Sequence, residues 1–124
     1  MLVDLETPYG SLDPEIRHLN RMFARACTRD CVLRGELPFA SHLLYTQPGI
    51  LDDKIPAERD LGIKAGKRWT AVAEKTVVYL DRGISRGMHF GIADAQEKGR
   101  LVEYRELGFI PDPDVFGDPK WMDR

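Results

Sequence analysis

The sequence predicts a small α/β domain in which helices sandwich a sheet of four or five mainly parallel strands. Three observations carry that expectation. Four short apolar runs alternate with three longer segments of helical apolar period. The third run, Thr76-Val77-Val78-Tyr79-Leu80, is almost continuously apolar, as befits a strand buried on both faces. The length of 124 residues suits one domain.

Met1 to Glu6 reads as the first strand, with Leu2, Val3 and Leu5 as its apolar residues. Thr7 to Ser11 is rich in turn formers. Asp13-Pro14 opens a helix with a capping carboxylate and a proline at the first helical position. Ile16, Leu19, Phe23 and Cys27 are expected to form its buried stripe, and Arg34-Gly35 ends it. Leu37 to Leu44 is a short second strand with its exit, and Tyr45 to Asp53 a loop. Pro56 suits the first turn of a second helix carrying Leu61, Ala65, Trp69 and Val72 on one face. Gly62 and Gly66, four apart on that helix, weaken it but permit close backbone approach. After the buried strand, Ser85 can cap a third helix whose inner face uses Met88, Ile92 and Ala95, and Gly99 closes it. Leu101 to Arg105 is the fourth strand.

Such alternation implies right-handed crossovers and a parallel sheet, the three-layer sandwich of flavodoxin-like and Rossmann-like domains. Residues 1–105 are expected to form it. In residues 106–124, Pro111, Pro113 and Pro119 oppose regular structure, while Phe109, Phe116 and Trp121 are too apolar for a solvated tail. That segment is expected to be irregular and to dock on its own domain or a neighbouring subunit. A sheet this small often covers apolar surface with a copy of itself, so a homo-oligomer, dimer or higher, is expected.

The net charge of -2, with both signs mixed along the chain, leaves no electrostatic footprint for nucleic acid or a membrane. No apolar stretch approaches the roughly 20 residues that span a bilayer. The first residues lack a basic region followed by an apolar run, and a cytoplasmic location is expected. Cys27 and Cys31 share a helix face as two ordinary thiols. His18, His42 and His89 lie in three separate segments, so neither a metal site nor a cofactor is expected.

In an open α/β sheet, ligands bind beyond the carboxyl ends of the strands, where strand order reverses. Four segments converge there: the loop Glu6 to Ser11, the exit Ser41-His42, the helix start Glu58-Arg59-Asp60 and the loop Asp81 to Gly87. Ser85-Arg86-Gly87 begins a helix directly after a buried strand, where free N–H groups and the helix dipole favour an anion. Ser85 also serves as a plain helix cap. Glu58 and Asp60 equally suit a solvated helix start, and His42 a structural hydrogen bond. Glu6, closing the first strand, points near the crevice or caps the following loop. Asp81 either faces the crevice or pairs with Arg82.

Taken together, these segments resemble the nucleoside 2-deoxyribosyltransferase superfamily, which includes deoxynucleoside 5′-monophosphate N-glycosidases. Pro8-Tyr9 after the first strand looks like that family's sugar- and base-holding loop. Glu58-Arg59-Asp60-Leu61 matches its Glu-Arg-Asp-Leu, Ser85-Arg86-Gly87-Met88-His89-Phe90-Gly91-Ile92 its Ser-x-Gly-x-x-x-Glu-hydrophobic segment, and Gly99 before a strand its Gly-Lys-Pro-type ending. The resemblance implies a nucleoside or nucleotide ligand. Asp60, as general acid or base-orienting group, would contact it near the base or glycosidic bond. Ser85, with the backbone of Gly87, would hold a 5′-phosphate, with Arg86 and Met88 beside them in the binding site. Tyr9 and Gly10 would pack on base or sugar, with Ser41 and His42 on the ligand side of the second strand. The family's catalytic glutamate falls on Gly91. Either another acid replaces it, with Glu6, Glu58 and Asp81 as candidates, or cleavage is absent. The resemblance thus leaves two functions: N-glycosidic hydrolysis or deoxyribosyl transfer, and a nucleotide-binding module without catalysis. A phosphoacceptor domain using Asp81 is disfavoured, because no acidic pair follows the first strand.

Overall fold

The computed structural model describes residues 1–122. Strands β1 (Leu2–Glu6), β2 (Leu37–Phe39), β3 (Lys75–Tyr79) and β4 (Leu101–Arg105) form one sheet in the order β2-β1-β3-β4, every pair parallel. Helix α1 (Pro14–Leu33) crosses from β1 to β2, α3 (Pro56–Thr70) from β2 over to β3, and α4 (Arg86–Glu97) from β3 to β4. The first crossover runs one way and the later ones the other, so the direction of winding reverses between β1 and β3. No helix among the described residues is long and apolar enough to cross a membrane.

Each helix begins and ends for a local reason. Asp13 Oδ1 accepts from Glu15 N at 2.9 Å ahead of Pro14, and Gly35, at φ +83°, ends α1 with the left-handed residue such termini favour. Ser85 Oγ accepts from Met88 N at 3.3 Å to start α4. The helices then divide the core. Val3, Leu5, Val77 and Tyr79 meet Phe23, Cys27 and Cys31 of α1 on one face of the sheet. Val78 meets Met88 and Ile92 of α4 on the other. Because side chains alternate along a strand, Asp4, Glu6 and Thr76 belong to the α4 face.

Four expectations need correction. The buried stripe of α1 holds at Phe23 and Cys27, but Ile16 and Leu19 in its first turns are exposed, because the core of that face begins only deeper along the helix. The exit of β2 is not extended: Ser41–Leu44 forms a one-turn helix, α2. The expected apolar stripe of α3 is not buried: Leu61, Trp69 and Val72, the last beyond the helix end, are more than half exposed, although one face of Trp69 stacks on Phe39 at 5.3 Å. Its contact with α2 is made at Gly66, where the backbone approaches Ser41 too closely for a side chain, while Gly62 faces Leu51 and Tyr45 at ordinary contact distance. The final segment is not wholly irregular. Pro113 occupies the first position of a one-turn helix, α5 (Pro113–Phe116), capped by Asp112, and a 3-10 turn follows at Lys120–Met122. Proline starts this helix because its missing N–H would have no partner there. Asp118 then binds Arg21 at 2.6 Å, Arg25 at 2.7 Å and His18 at 3.2 Å, fastening the segment to α1 of the same chain.

A Cβ on Gly66 would lie 2.8 Å from Ser41 Oγ and 2.9 Å from Ser41 Cβ. Gly66→Ala is expected to cost about 1 kcal/mol, overpacking outweighing the gain in helix propensity. In a Ser41→Gly background the same change should stabilise by about 1 kcal/mol. Urea unfolding of the four proteins measures both.

Candidate active site

Period-two alternation on the central strand builds the site. β1 sends Val3 and Leu5 into the α1 core and leaves Asp4 and Glu6 on the opposite face, beneath α4. Glu6 is the last residue of β1, at the carboxyl edge of the sheet beside the reversal point. Its carboxyl lies against Gly91, on the second turn of α4. A Cβ on Gly91 would overlap Glu6 Oε1 and lie 2.5 Å from Cδ and 3.2 Å from Oε2. The strand glutamate therefore fills the space where a side chain of residue 91 would begin.

Among the described residues no hydrogen bond or ion pair holds the Glu6 carboxyl. No buried side-chain polar atom there lacks a partner, so the unpaired Glu6 oxygens reach accessible space. Burial, then the charge of Asp4, pushes the Glu6 carboxyl up to about 9, with Asp94 adding to the rise and Arg100 opposing it. Glu6 is thus protonated at neutral pH.

Behind Glu6 runs a closed polar chain. Thr76 Oγ1 donates to Asp4 Oδ2 at 3.0 Å and accepts from Arg100 Nε at 2.9 Å. Arg100 also donates to Asp94 Oδ2 at 3.1 Å and to the Thr70 carbonyl at 3.4 Å. Desolvation raises Asp4 above the usual carboxylate range despite the help of Thr76 and Arg100.

The loops around the site are tied to one another. Thr7 Oγ1 and His42 Nε2 share a hydrogen bond of 2.7 Å, joining the β1 exit to α2. Tyr9 meets the His42 ring edge to face at 5.9 Å. Asn20 donates to the Tyr9 carbonyl at 3.1 Å and accepts from Arg82 Nε at 3.0 Å, clamping the loops that follow β1 and β3. Desolvation pulls the His42 imidazole down to about 4, so it is neutral at pH 7.

The structure therefore gathers Glu6, Tyr9 and His42 around one stretch of loop, with Gly91 facing Glu6. Gly10 borders open space, and Ser41 packs under Gly66. Ser85 caps α4, while Gly87 leaves the helix start open. Arg86 lies over the Phe90 ring at 5.7 Å. Met88 turns inward to Val78 and Ile92, and its sulfur accepts from Ser85 N at 3.3 Å. Asp60 is exposed on the first turns of α3. Glu58 accepts from Asp52 N at 3.1 Å, closing its own loop. Asp81 accepts from Leu107 N at 2.7 Å and Gly108 N at 2.9 Å. Burial would raise the Asp81 carboxyl, but those two N–H groups hold it below its ordinary value. Of the acids singled out as substitutes for a glutamate at position 91, Glu58 and Asp81 are engaged elsewhere, and Glu6 faces Gly91.

Sequence reading missed Asp4, Thr76, Arg100 and Asn20. A signal existed for Asp4: alternating acids in Leu2-Val3-Asp4-Leu5-Glu6 are out of place on a strand flanked on both sides. The polar residues of Arg100 and Asn20 carried no local signal, since their partners are distant in sequence.

A parallel sheet whose winding reverses between β1 and β3 defines an α/β domain of the open-sheet class. Residues 1–105 match the family described as Domain of unknown function (DUF7768), and the chain belongs to that family. No curated protein matches the sequence. Among solved structures, a 2-deoxyribosyltransferase from Bacillus psychrosaccharolyticus is similar, with a TM-score of 0.60 and 16% identity. The match covers 93% of this chain and 80% of that one, and it shows a shared fold.

Two pH effects follow. An unfolded glutamate ionises near 4.3, whereas Glu6 in the fold holds its proton up to about 9. The folded state thus binds the extra proton, and the stability this confers is lost as pH rises through that window. Glu6→Gln should melt above the wild type at pH 8, the gap closing by pH 4. For His42 the folded state binds fewer protons between about 6.5, the unfolded value, and about 4. Its contribution is full above 6.5 and lost on acidification. An NMR titration of the ring should place its midpoint near 4.

Proposed function

We propose that this protein processes a nucleoside or nucleotide by cleaving its N-glycosidic bond, with Glu6 protonating the departing base. The observation that carries the reading is the Glu6 carboxyl in the space facing Gly91. In the superfamily the sequence resembles, a catalytic glutamate would arise from that helix position. Here the helix supplies a glycine and the strand supplies the acid.

A protonated carboxyl suits the first half of such a reaction. As the C1′–N bond breaks, its electron pair goes to the base, and the Glu6 proton follows it there. Positive charge builds on the sugar, and the carboxylate left behind stabilises it. Water, or a second base in a transfer reaction, then bonds to C1′ and returns a proton to Glu6. The shared fold of a 2-deoxyribosyltransferase supports this chemistry at the level of architecture.

The remaining groups divide the ligand. The N–H groups of Arg86 and Gly87, at the positive end of α4, suit a 5′-phosphate, and Gly87 has no side chain in the way. Gly87 and Gly91, four apart on α4, lie on one helix edge with a rise of about 6 Å between them, so the anion site and the acid can share that edge. Tyr9, held by His42, packs on the sugar or base, and Asp60 orients the base from α3.

The test is turnover of a panel of nucleosides and their 5′-monophosphates, with and without a free acceptor base, followed by chromatography. Released or exchanged base is expected. Its kcat/KM should hold steady at neutral pH and fall above about 9, as Glu6 loses its proton. Glu6→Gln should lower kcat by about 10²–10⁴, and Glu6→Ala with Gly91→Glu should recover part of the loss. A rate that instead climbs toward pH 9 would make the ionised carboxylate the working form. Thermal stabilisation by a ligand with no product at high protein concentration would replace the enzyme with a binding module.

A further inference from the structure

We infer that Asp4 and Glu6 act as a carboxyl pair sharing one proton, in which the Thr76–Arg100–Asp94 chain keeps the negative charge on Asp4 and leaves the proton on Glu6. This deepens the proposed cleavage reaction, because it makes Asp4 a positioning residue that keeps Glu6 ready as an acid.

The hydrogen-bond geometry decides which member carries the charge. Arg100 has only donors, so its Nε–H, 2.9 Å from Thr76 Oγ1, makes that oxygen an acceptor. The hydroxyl hydrogen is then free to point only to the other neighbour, Asp4 Oδ2 at 3.0 Å. Thr76 is fully buried, and water does not compete for that bond. Asp4 therefore receives a fixed donor backed by a guanidinium, while Glu6 receives none among the described residues. Asp94 completes the arrangement by accepting from Arg100 at 3.1 Å and from Lys98 at 2.8 Å. The charged groups that bear on Glu6 are thus Asp4 on its own strand, Arg100 before β4 and Asp94 on α4. Two like charges two residues apart on one enclosed strand face oppose joint ionisation, and the member without donors keeps the proton.

The arrangement matches the requirement of an acid catalyst. A lone enclosed carboxyl would also stay protonated, but it would have no built-in response to its neighbour. Here the proton affinity of Glu6 is set by a charge whose own place is fixed by Thr76 and Arg100. Asp4 itself needs no contact with the ligand.

The test reads side-chain carboxyl carbons by NMR in the whole protein, without ligand, so its result stands whether or not cleavage is found. In the wild type, Glu6 should titrate near 9, and Asp4 should lose its proton before Glu6 does. Asp4→Asn should weaken proton binding at Glu6 about tenfold or more, by removing the like charge. Thr76→Val should shift the proton from Glu6 toward Asp4 at pH 7 by about tenfold in their ratio, through loss of a bond to a charged group. Thr76→Ser, which keeps the hydroxyl, should leave the ratio unchanged. If Asp4→Asn fails to fold, the Thr76 pair alone decides. An unmoved Glu6 midpoint in folded Asp4→Asn, equal ratios in Thr76→Val and Thr76→Ser, or a wild-type Glu6 that titrates like a free glutamate would each overturn the pair. Where turnover is measured, the alkaline limb of kcat/KM should move down with Glu6 in Asp4→Asn.

Discussion

β1 is the strand on which this architecture turns, because it is central in the sheet and covered on both faces. Five residues must satisfy two different neighbours at once. Toward α1 they present Val3 and Leu5, both almost fully buried with Phe23, Cys27 and Cys31. Toward α4 they present Asp4 and Glu6. A strand in that position normally spends both faces on apolar contact. Here one face is given to acids, and the polar chain through Thr76 and Arg100 offsets the desolvation of one of them. The rest of the site follows from where β1 ends.

Gly91 is the complement of that arrangement. A helix glycine without a turn to make costs about 1 kcal/mol relative to alanine, and α4 needs no left-handed residue at this position. What the missing side chain provides is room for the Glu6 carboxyl. Helix and strand thus meet through one carboxyl group instead of two side chains. If the group that works on a ligand has moved from helix to strand, its proton affinity must change with it. A side chain rising from the second turn of α4 would lie outside Asp4's strand, whereas Glu6 shares a strand face with Asp4. Such an exchange of origin would also exchange chemistry, favouring a protonated acid over an ionised carboxylate.

Much of the fold was legible in the sequence for local reasons. Asp13-Pro14 and Ser85 start helices by capping, Gly35 and Gly99 end them with positive φ, and the run at Thr76 to Tyr79 reads as a buried strand. The outward face of α3 was not legible. Leu61, Trp69 and Val72 have the spacing of a buried stripe, but spacing does not reveal that Gly66 is the buried position, drawn against Ser41. Pro113 misled in the same way, since one proline residue breaks a helix interior and begins a helix elsewhere. At the site, an acid at the end of β1 could be singled out from its place in the chain. That Gly91 would face it, and that Thr76 and Arg100 would stand behind it, depends on contacts across the sheet that no short segment encodes.

The two faces of the sheet treat charge in opposite ways, and the contrast sets apart the side on which the proposed site lies. On the α1 face, Glu36 binds Arg105 at 2.7 and 2.6 Å and Lys75 at 2.6 Å, and Tyr79 donates to Asp30 at 2.6 Å. The Arg105 bonds, against some cost of burial and with help from Lys75, hold Glu36 down to about 2. Every charge there is answered, as a structural network requires. On the α4 face the answering stops one residue short: Asp4 has Thr76, Arg100 has Asp94, and Glu6 has no partner among the described residues. Two glutamates of one small sheet therefore fall on opposite sides of neutrality. An enclosed acid that a fold leaves unpaired, while pairing its neighbours, is a cost to stability with no structural return. A ligand whose reaction takes up the proton is the return that would account for it.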